Sequence, residues 1–244
     1  MGTQNVSVPT LIGPHSVPLG LHSHECSYLP DRQATEEAWL AWQVSPAAYH
    51  ELMDRGIRRS GNILYRTRCQ GCRMCVPIRV PVADFKPTRS QRRVLRRNAD
   101  VQMSISEPEL TPEKHDVYKR YLAAQHDKSP QGADEDSLRE FLYSSCVASI
   151  EVEYRDPQGR LLGVSICDIS RRSMSSVYHF FEPAEAKRSI GVFSVLSEIE
   201  LCRRKKIPHY YLGYWVKGCS TMEYKQHYRP FELLVNGKWQ RSPA

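Results

Sequence analysis

The chain has 244 residues, of which 41 % are hydrophobic and 25 % charged, so it is neither a disordered nor a fibrous protein and can bury a real core in one large or two small domains. Its formal charge of +7, from 34 Lys+Arg against 27 Asp+Glu, favours anionic partners such as nucleic acid. No apolar stretch approaches the ~18–20 residues that span a bilayer, and residues 1–20 lack a basic segment followed by an apolar run, so the expectation is a cytoplasmic protein with no membrane partner.

Residues 1–20, rich in Pro, Gly and small polar residues, are expected to form a flexible tail. Residues 21–106 form a Cys- and Arg-rich N-terminal region. Within it, Glu36 to Arg55 suggests helical pieces with Trp39, Leu40, Tyr49, Leu52 and Met53 as apolar positions, and Val76 to Val82 reads as a strand. Residues 107–244 are expected to be a second domain. Val117, Tyr118, Tyr121 and Leu122 recur at helical spacing and predict a helix over Pro112 to His126. A polar loop at Gln131 to Asp136 and a short helix at Ser137 to Tyr143 follow. Strands are then expected at Ile150–Tyr154, Leu161–Ile169 and Ser176–Phe181, separated by the turns Asp156–Gly159 and Arg171–Ser173. Val192, Val195, Leu196, Ile199 and Cys202 make the apolar stripe of a helix over Ser189 to Lys205, with Ser189 as its N-cap; Pro208 ends it and His209–Val216 is a strand. Helix, three antiparallel strands, helix and strand is the element order of the GNAT acyltransferases. The expected fold class is therefore α+β: a Cys-containing N-terminal region plus a GNAT-like acyltransferase domain with a mixed, mainly antiparallel sheet.

Three groups of residues carry chemistry. Lys86 precedes Arg89, Arg92, Arg93, Arg96 and Arg97, whose offsets place five guanidiniums on one helical face. Arginine grips phosphate bidentately, so this face is the candidate RNA-binding surface. Cys69, Cys72 and Cys75 lie at C-x-x-C-x-x-C spacing with Cys26 as a remote fourth thiol, a set that suits an iron–sulfur cluster or zinc. The other cysteines are scattered, and Cys167 and Cys202 fall within apolar patterns as core residues. Finally, Arg188-Ser-Ile-Gly191-Val-Phe193 stands where GNAT enzymes hold the coenzyme A pyrophosphate at a helix N-terminus. The bulky Phe193 replaces a small residue of that loop, so coenzyme A is not expected as a partner.

Several ordered segments resemble one family. They are Cys26-Ser27-Tyr28-Leu29-Pro30, Asp54 to Gly61 (DRGIRRSG), Phe85-Lys86-Pro87 with Ser90 to Val94, Ser175-Ser176-Val177-Tyr178, Ser197 to Glu200, Tyr211 to Trp215, and Met222-Glu223-Tyr224-Lys225 with Tyr228-Arg229-Pro230. Together they resemble the arginyl-tRNA–protein transferases, and within that family its short bacterial members that use leucine. Thr221 departs from the pattern, which would place a cation before Met222. The resemblance implies transfer of leucine from Leu-tRNA to the α-amino group of proteins with N-terminal Asp or Glu, marking them for N-end rule degradation, with no cofactor required for the transfer. The acceptor's side-chain carboxylate would need a cation, for which Lys225, Arg188 and Arg79 are the candidates, Lys225 first because of its motif, with Tyr214 as a further substrate-binding residue. Proton handling would fall to Asp168, Tyr178 or His179 on neighbouring strands. An arginine donor, or a non-enzymatic RNA-binding or metal-sensing protein, is the alternative.

Overall fold

The computed structural model describes residues 7–126 and 134–242; part of the loop expected at 131–136, and of the tail expected at 1–20, lies outside them. The elements run α1 (Val8–Ile12), β1 (Ser16–Glu25), β2 (Gln33–Ala41), α2 (Pro46–Asp54), β3 (Arg58–Ser60), β4 (Ile63–Thr67), β5 (Cys75–Pro81), α3 (Arg89–Arg97), β6 (Gln102–Ser106) and α4 (Pro112–His126). They continue with α5 (Glu135–Leu138), a wider turn of helix over Arg139–Tyr143, β7 (Ser149–Arg155), β8 (Leu161–Ile169), β9 (Ser173–Phe181), α6 (Ile190–Arg204), β10 (His209–Val216), α7 (Ser220–Glu223), β11 (Glu232–Val235) and β12 (Lys238–Arg241).

Two sheets result. A four-stranded antiparallel sheet has the order β1-β2-β4-β3, and an eight-stranded one has the order β12-β11-β5-β10-β9-β8-β7-β6. Every pairing is antiparallel except β9 with β10. α4, the β7–β9 meander, α6 and β10 reproduce the expected GNAT order. β5 comes from the Cys- and Arg-rich half of the sequence, yet it lies inside the large sheet between β11 and β10.

The large sheet is sandwiched by helices. Val164 and Ile166 of β8 join the core under α4, with Val117, Tyr118 and Phe180. On the opposite face Cys167 packs under α6 with Val195, Leu196, Ile199 and Cys202. Burying each large aliphatic side chain there contributes about 1.5–3 kcal/mol. Cys167 and Cys202 are wholly buried, as their apolar surroundings implied.

Some local expectations change. Glu36 to Ala41 is strand, not helix: it pairs with β1 on one side and β4 on the other, burying Ala38, Trp39 and Ala41, and only Pro46–Asp54 is helical. Residues 8–25 form α1 and β1 rather than tail, because Val8 and Ile12 bury against Tyr49 and Met53. Ser189 precedes α6 with φ +57°, and its side chain makes no cap; its carbonyl instead accepts the Val192 and Phe193 amides at 3.0 Å. α3 has a full capping box between Thr88 and Gln91, and Gln91 Nε2 also donates to the His227 carbonyl at 3.1 Å.

Candidate active site

β9 and β10 pair only through His209–Ser173, Tyr210–Met174 and Tyr211–Ser175, after which they diverge. Both strands are distorted at this fork. Cys167 pairs with Ser176 and Ile166 with Tyr178, so Val177 is the extra residue of a bulge. On β10 the register with β5 shifts between Tyr211 and Tyr214, and Gly213 there has φ +80°, a conformation that glycine adopts without strain.

Two cations close on Gly213. Arg58 reaches from β3, donating from Nη1 to Ser175 Oγ and from Nη2 to the Ser176 carbonyl, both at 2.9 Å. Lys225 reaches from the turn after α7, donating from Nζ to the Tyr214 carbonyl at 2.9 Å, with Met222 Sδ at 3.3 Å. A Cβ on Gly213 would lie 3.4 Å from Arg58 Nη2 and 3.7 Å from Lys225 Nζ. Both side chains are buried, and among the described residues neither forms an ion pair with a carboxylate. Burial, reinforced by the neighbouring Arg58 guanidinium, depresses the Lys225 ammonium to about 7. A buried pair of like charges is costly unless an anion completes it. An anion entering the fork would relieve that cost.

The wall beside it is aromatic. Tyr178 of β9 meets Tyr118 at 6.2 Å, Tyr121 at 6.4 Å and Phe141 at 5.2 Å between ring centroids, all edge-on. Below the fork, on the α6 side, Glu198 is buried and accepts from the hydroxyls of Tyr154 and Tyr210, with Cys167 Sγ at 3.6 Å from Oε2. Burial raises the Glu198 carboxyl above the usual range.

The residues singled out from sequence fall in different places. Lys225 and Tyr214 are at the fork; the Tyr214 hydroxyl donates to the Gly56 carbonyl at 3.3 Å. Arg79 is spent elsewhere: it pairs with Asp54 and Glu232 at 2.7 Å each and stacks over Trp239 at 4.2 Å. Arg188 holds Asp100 at 2.9 and 3.1 Å and Glu185 at 3.2 Å. Asp168 is wholly buried and receives Arg59 Nε and Nη2, Tyr49 Oη and Ser149 Oγ at 2.7–2.9 Å. With every carboxylate direction occupied, it clamps the small sheet to the large one and has no room for a substrate proton. Tyr178 stays protonated, since burial raises its hydroxyl. His179 Nδ1 bonds Ser165 Oγ at 2.9 Å, and burial lowers the imidazole to about 4, so it is neutral. The Phe193 ring turns inward onto Tyr154, 5.8 Å away, so it does not itself obstruct the N-terminus of α6. Arg58, the other half of the cation pair, was not singled out; its only signal was membership of the Asp54–Gly61 segment.

Lys86 and the five arginines of the basic run are all exposed, and among the described residues none of the six is in an ion pair. Arg92 and Arg97 instead donate to the carbonyls of Pro87 and Lys187, at 2.6 and 2.5 Å. The cysteine set corrects an expectation. Cys26, Cys69 and Cys72 are near enough to act electrostatically on Cys75, whose thiol is pushed up to about 12, by burial first. Yet among the described residues no group of three or more His, Cys, Asp or Glu side chains is arranged to hold a metal ion. Cys69 Sγ instead accepts from the Thr35 amide at 3.4 Å. A cluster or zinc at these thiols is thus unsupported. No described helix is long and apolar enough to cross a membrane.

The chain is similar to known proteins over most of its length. Residues 24–93 match the model of the arginine-tRNA-protein transferase N terminus, and residues 113–235 match that of its C terminus. A Pseudomonas fluorescens protein named aspartate/glutamate leucyltransferase is 44 % identical over 220 residues, 88 % of this chain and 92 % of the relative. One of the same name from Pseudomonas syringae pv. tomato is 43 % identical over the same shares. Among solved structures the chain resembles FemX with a TM-score of 0.45 at 7 % identity, covering 82 % of this chain and 81 % of that one. It resembles L-PGS from Bacillus licheniformis with a TM-score of 0.46 at 12 % identity, covering 71 % of this chain and 51 % of that one. With both halves matched in order and close relatives along most of its length, the chain belongs to the arginine-tRNA-protein transferase family.

Proposed function

We propose that the chain transfers leucine from Leu-tRNA to the α-amino group of proteins that begin with Asp or Glu, marking them for N-end rule degradation. The observation that carries this is the buried Arg58–Lys225 pair, without a carboxylate partner among the described residues, in a chain 44 % identical to a relative named for that reaction. The acceptor's side-chain carboxylate would complete the pair, which explains a preference for Asp and Glu over neutral residues. Lys225 thus keeps its role, with Arg58 in place of Arg188 and Arg79.

The reaction needs little acid–base machinery. The donor is an ester, and the nucleophile is an α-amine with a pKa near ~8, of which a useful fraction is neutral at pH 7. The amine attacks the leucyl carbonyl; the C–N bond forms, the C–O bond to the ribose breaks, and the amine proton ends on the released hydroxyl. Holding ester and amine together at the fork supplies much of the rate. The neutral rings of Tyr118, Tyr121, Tyr178 and Phe141 suit an apolar leucyl side chain better than a charged arginyl one.

A transfer assay tests the reading. Leu-tRNA or Arg-tRNA, each carrying labelled amino acid, is mixed with peptides differing only in an N-terminal Asp, Glu, Lys or Ala. Label should move from Leu-tRNA to the Asp and Glu peptides alone. Transfer from Arg-tRNA would reverse the donor, and transfer from neither would favour a non-enzymatic RNA-binding protein.

The exposed row Lys86, Arg89, Arg92, Arg93, Arg96 and Arg97 would meet the tRNA backbone. Reversing Arg92, Arg93 and Arg96 to Glu should weaken tRNA binding at least tenfold and lower the slope of log K against log salt by about 2–3. An unchanged slope would place the tRNA elsewhere.

A further inference from the structure

A second basic concavity lies outside α3. It has a volume of about 320 Å³, near the lower end of the ~300–1,000 Å³ typical of ligand sites. Arg55, Arg66, Arg68 and Arg73 surround it, and Cys75 and Tyr214 contribute to its wall. Its charge is not balanced. Arg66 Nε and Arg68 Nε share one carboxylate oxygen of Glu37, at 2.8 and 2.9 Å. Arg55 faces Glu51 at the longer distance of 3.9 Å. Arg73 Nη1 donates to the carbonyls of Cys69 and Cys72, at 2.9 Å each, and among the described residues Arg73 is in no ion pair. Among the described residues, Arg66, Arg68 and Arg73 thus meet one carboxylate, that of Glu37.

The basin is joined to the fork through one residue. Tyr214 lines the basin, and its carbonyl is the acceptor of Lys225 Nζ. We propose that the basin of Arg55, Arg66, Arg68 and Arg73 binds the phosphodiester backbone of single-stranded RNA, holding the 3′ end of the donor as it enters the fork. The proposal rests on the aminoacyl-tRNA reading above. The alternative ligand is an acidic stretch of the acceptor protein. Acceptors share only their first residue, whose carboxylate is taken at Arg58 and Lys225, so nothing guarantees negative charge further along them. The donor brings a phosphate at every nucleotide. Guanidiniums spread round a basin, rather than converging on one point, suit such a polyanion.

The test uses the full chain with Arg55→Ala, Arg73→Ala and the double variant. Binding of uncharged tRNA is measured across a salt series, and the KM for Leu-tRNA and for an Asp peptide are measured separately. Each single change should raise the Kd for tRNA several-fold, and the double at least tenfold. The slope of log K against log salt should fall by about 1 per arginine. KM for Leu-tRNA should rise, while kcat and the KM for the peptide stay unchanged. Arg73→Lys, which keeps the charge, should retain the slope and so separates charge from loosening of the cysteine loop. A short single-stranded RNA should compete with tRNA for wild-type protein but not for the double variant, and inorganic phosphate should compete with neither. A double variant with wild-type Kd and slope would overturn the proposal. So would an effect confined to the peptide KM, or equal competition by phosphate. Because uncharged tRNA binding is read directly, wild-type protein that binds tRNA through the basin yet transfers nothing would defeat the functional reading and spare this one.

Discussion

Replacing Lys225 by Met should abolish use of acidic acceptors and at the same time stabilise the free protein. The ammonium is buried beside Arg58 and depressed from its ordinary value near 10.5 to about 7. A depression of that size corresponds to roughly 4–5 kcal/mol against the charged form in the folded state. The sign follows from proton counting. Between about pH 7 and 10.5 the unfolded chain binds the proton and the folded chain does not, so this group makes stability rise with pH through that window. Below about 7 both states are protonated and the penalty is complete. Met removes the penalty and costs about 1 kcal/mol for the donor lost to the Tyr214 carbonyl. Melting of wild-type and variant protein between pH 6 and 10 should therefore show the variant ahead by a few kcal/mol at pH 6, with the gap closing towards pH 10. A gap that is constant with pH would mean that Lys225 is not the group responsible.

Activity should report the same ionisation. With Lys225 in the proposed role, its charge in the free enzyme is lost as pH passes about 7, so kcat/KM for an Asp peptide should carry an alkaline limb there. The α-amine, neutral only above ~8, supplies an opposing rise. Lys225→Arg keeps a charge at all these pH values and should lose the alkaline limb. A limb that survives this change would move the carboxylate elsewhere.

The second large effect belongs to Arg59. Its guanidinium and the Asp168 carboxylate are both wholly inaccessible to solvent. Arg59 Nη1 also donates to the carbonyls of Gly61 and Ser144, at 2.9 and 3.2 Å. Arg59→Ala leaves a buried carboxylate with only Tyr49 and Ser149, and unmakes two further carbonyl bonds. The expected cost is about 3–5 kcal/mol in chemical denaturation. Replacing Arg59 by Met and Asp168 by Leu together should recover most of that loss, since no charge is then stranded. If Arg59→Ala instead left stability intact and removed only catalysis, Asp168 would regain its place among the proton-handling candidates.

Much of the second half was legible because burial there follows local periodicity. The helix at Pro112–His126 and the strands Leu161–Ile169 and His209–Val216 are bounded by proline, glycine and turn residues, and the structure has them at those limits. The first half was harder. Trp39 and Leu40 fit a helical spacing as well as a strand, and only the partners β1 and β4 decide for the strand. The closing hairpin turns at Asn236-Gly237, both at positive φ, a two-residue turn signal that the sequence carries.

For the site, the sequence by itself determined the chemistry available: an arginine-rich helix, a lysine in an ordered motif, and two adjacent arginines at 58 and 59. Only the tertiary structure decided what those arginines do. Successive residues of a strand point to opposite faces, so Arg59 enters the interior to hold Asp168 while Arg58 turns to the fork and Gly213. In the sequence they differ by one position; the clamp and the cation pair depend on strands more than a hundred residues away, which no local pattern encodes.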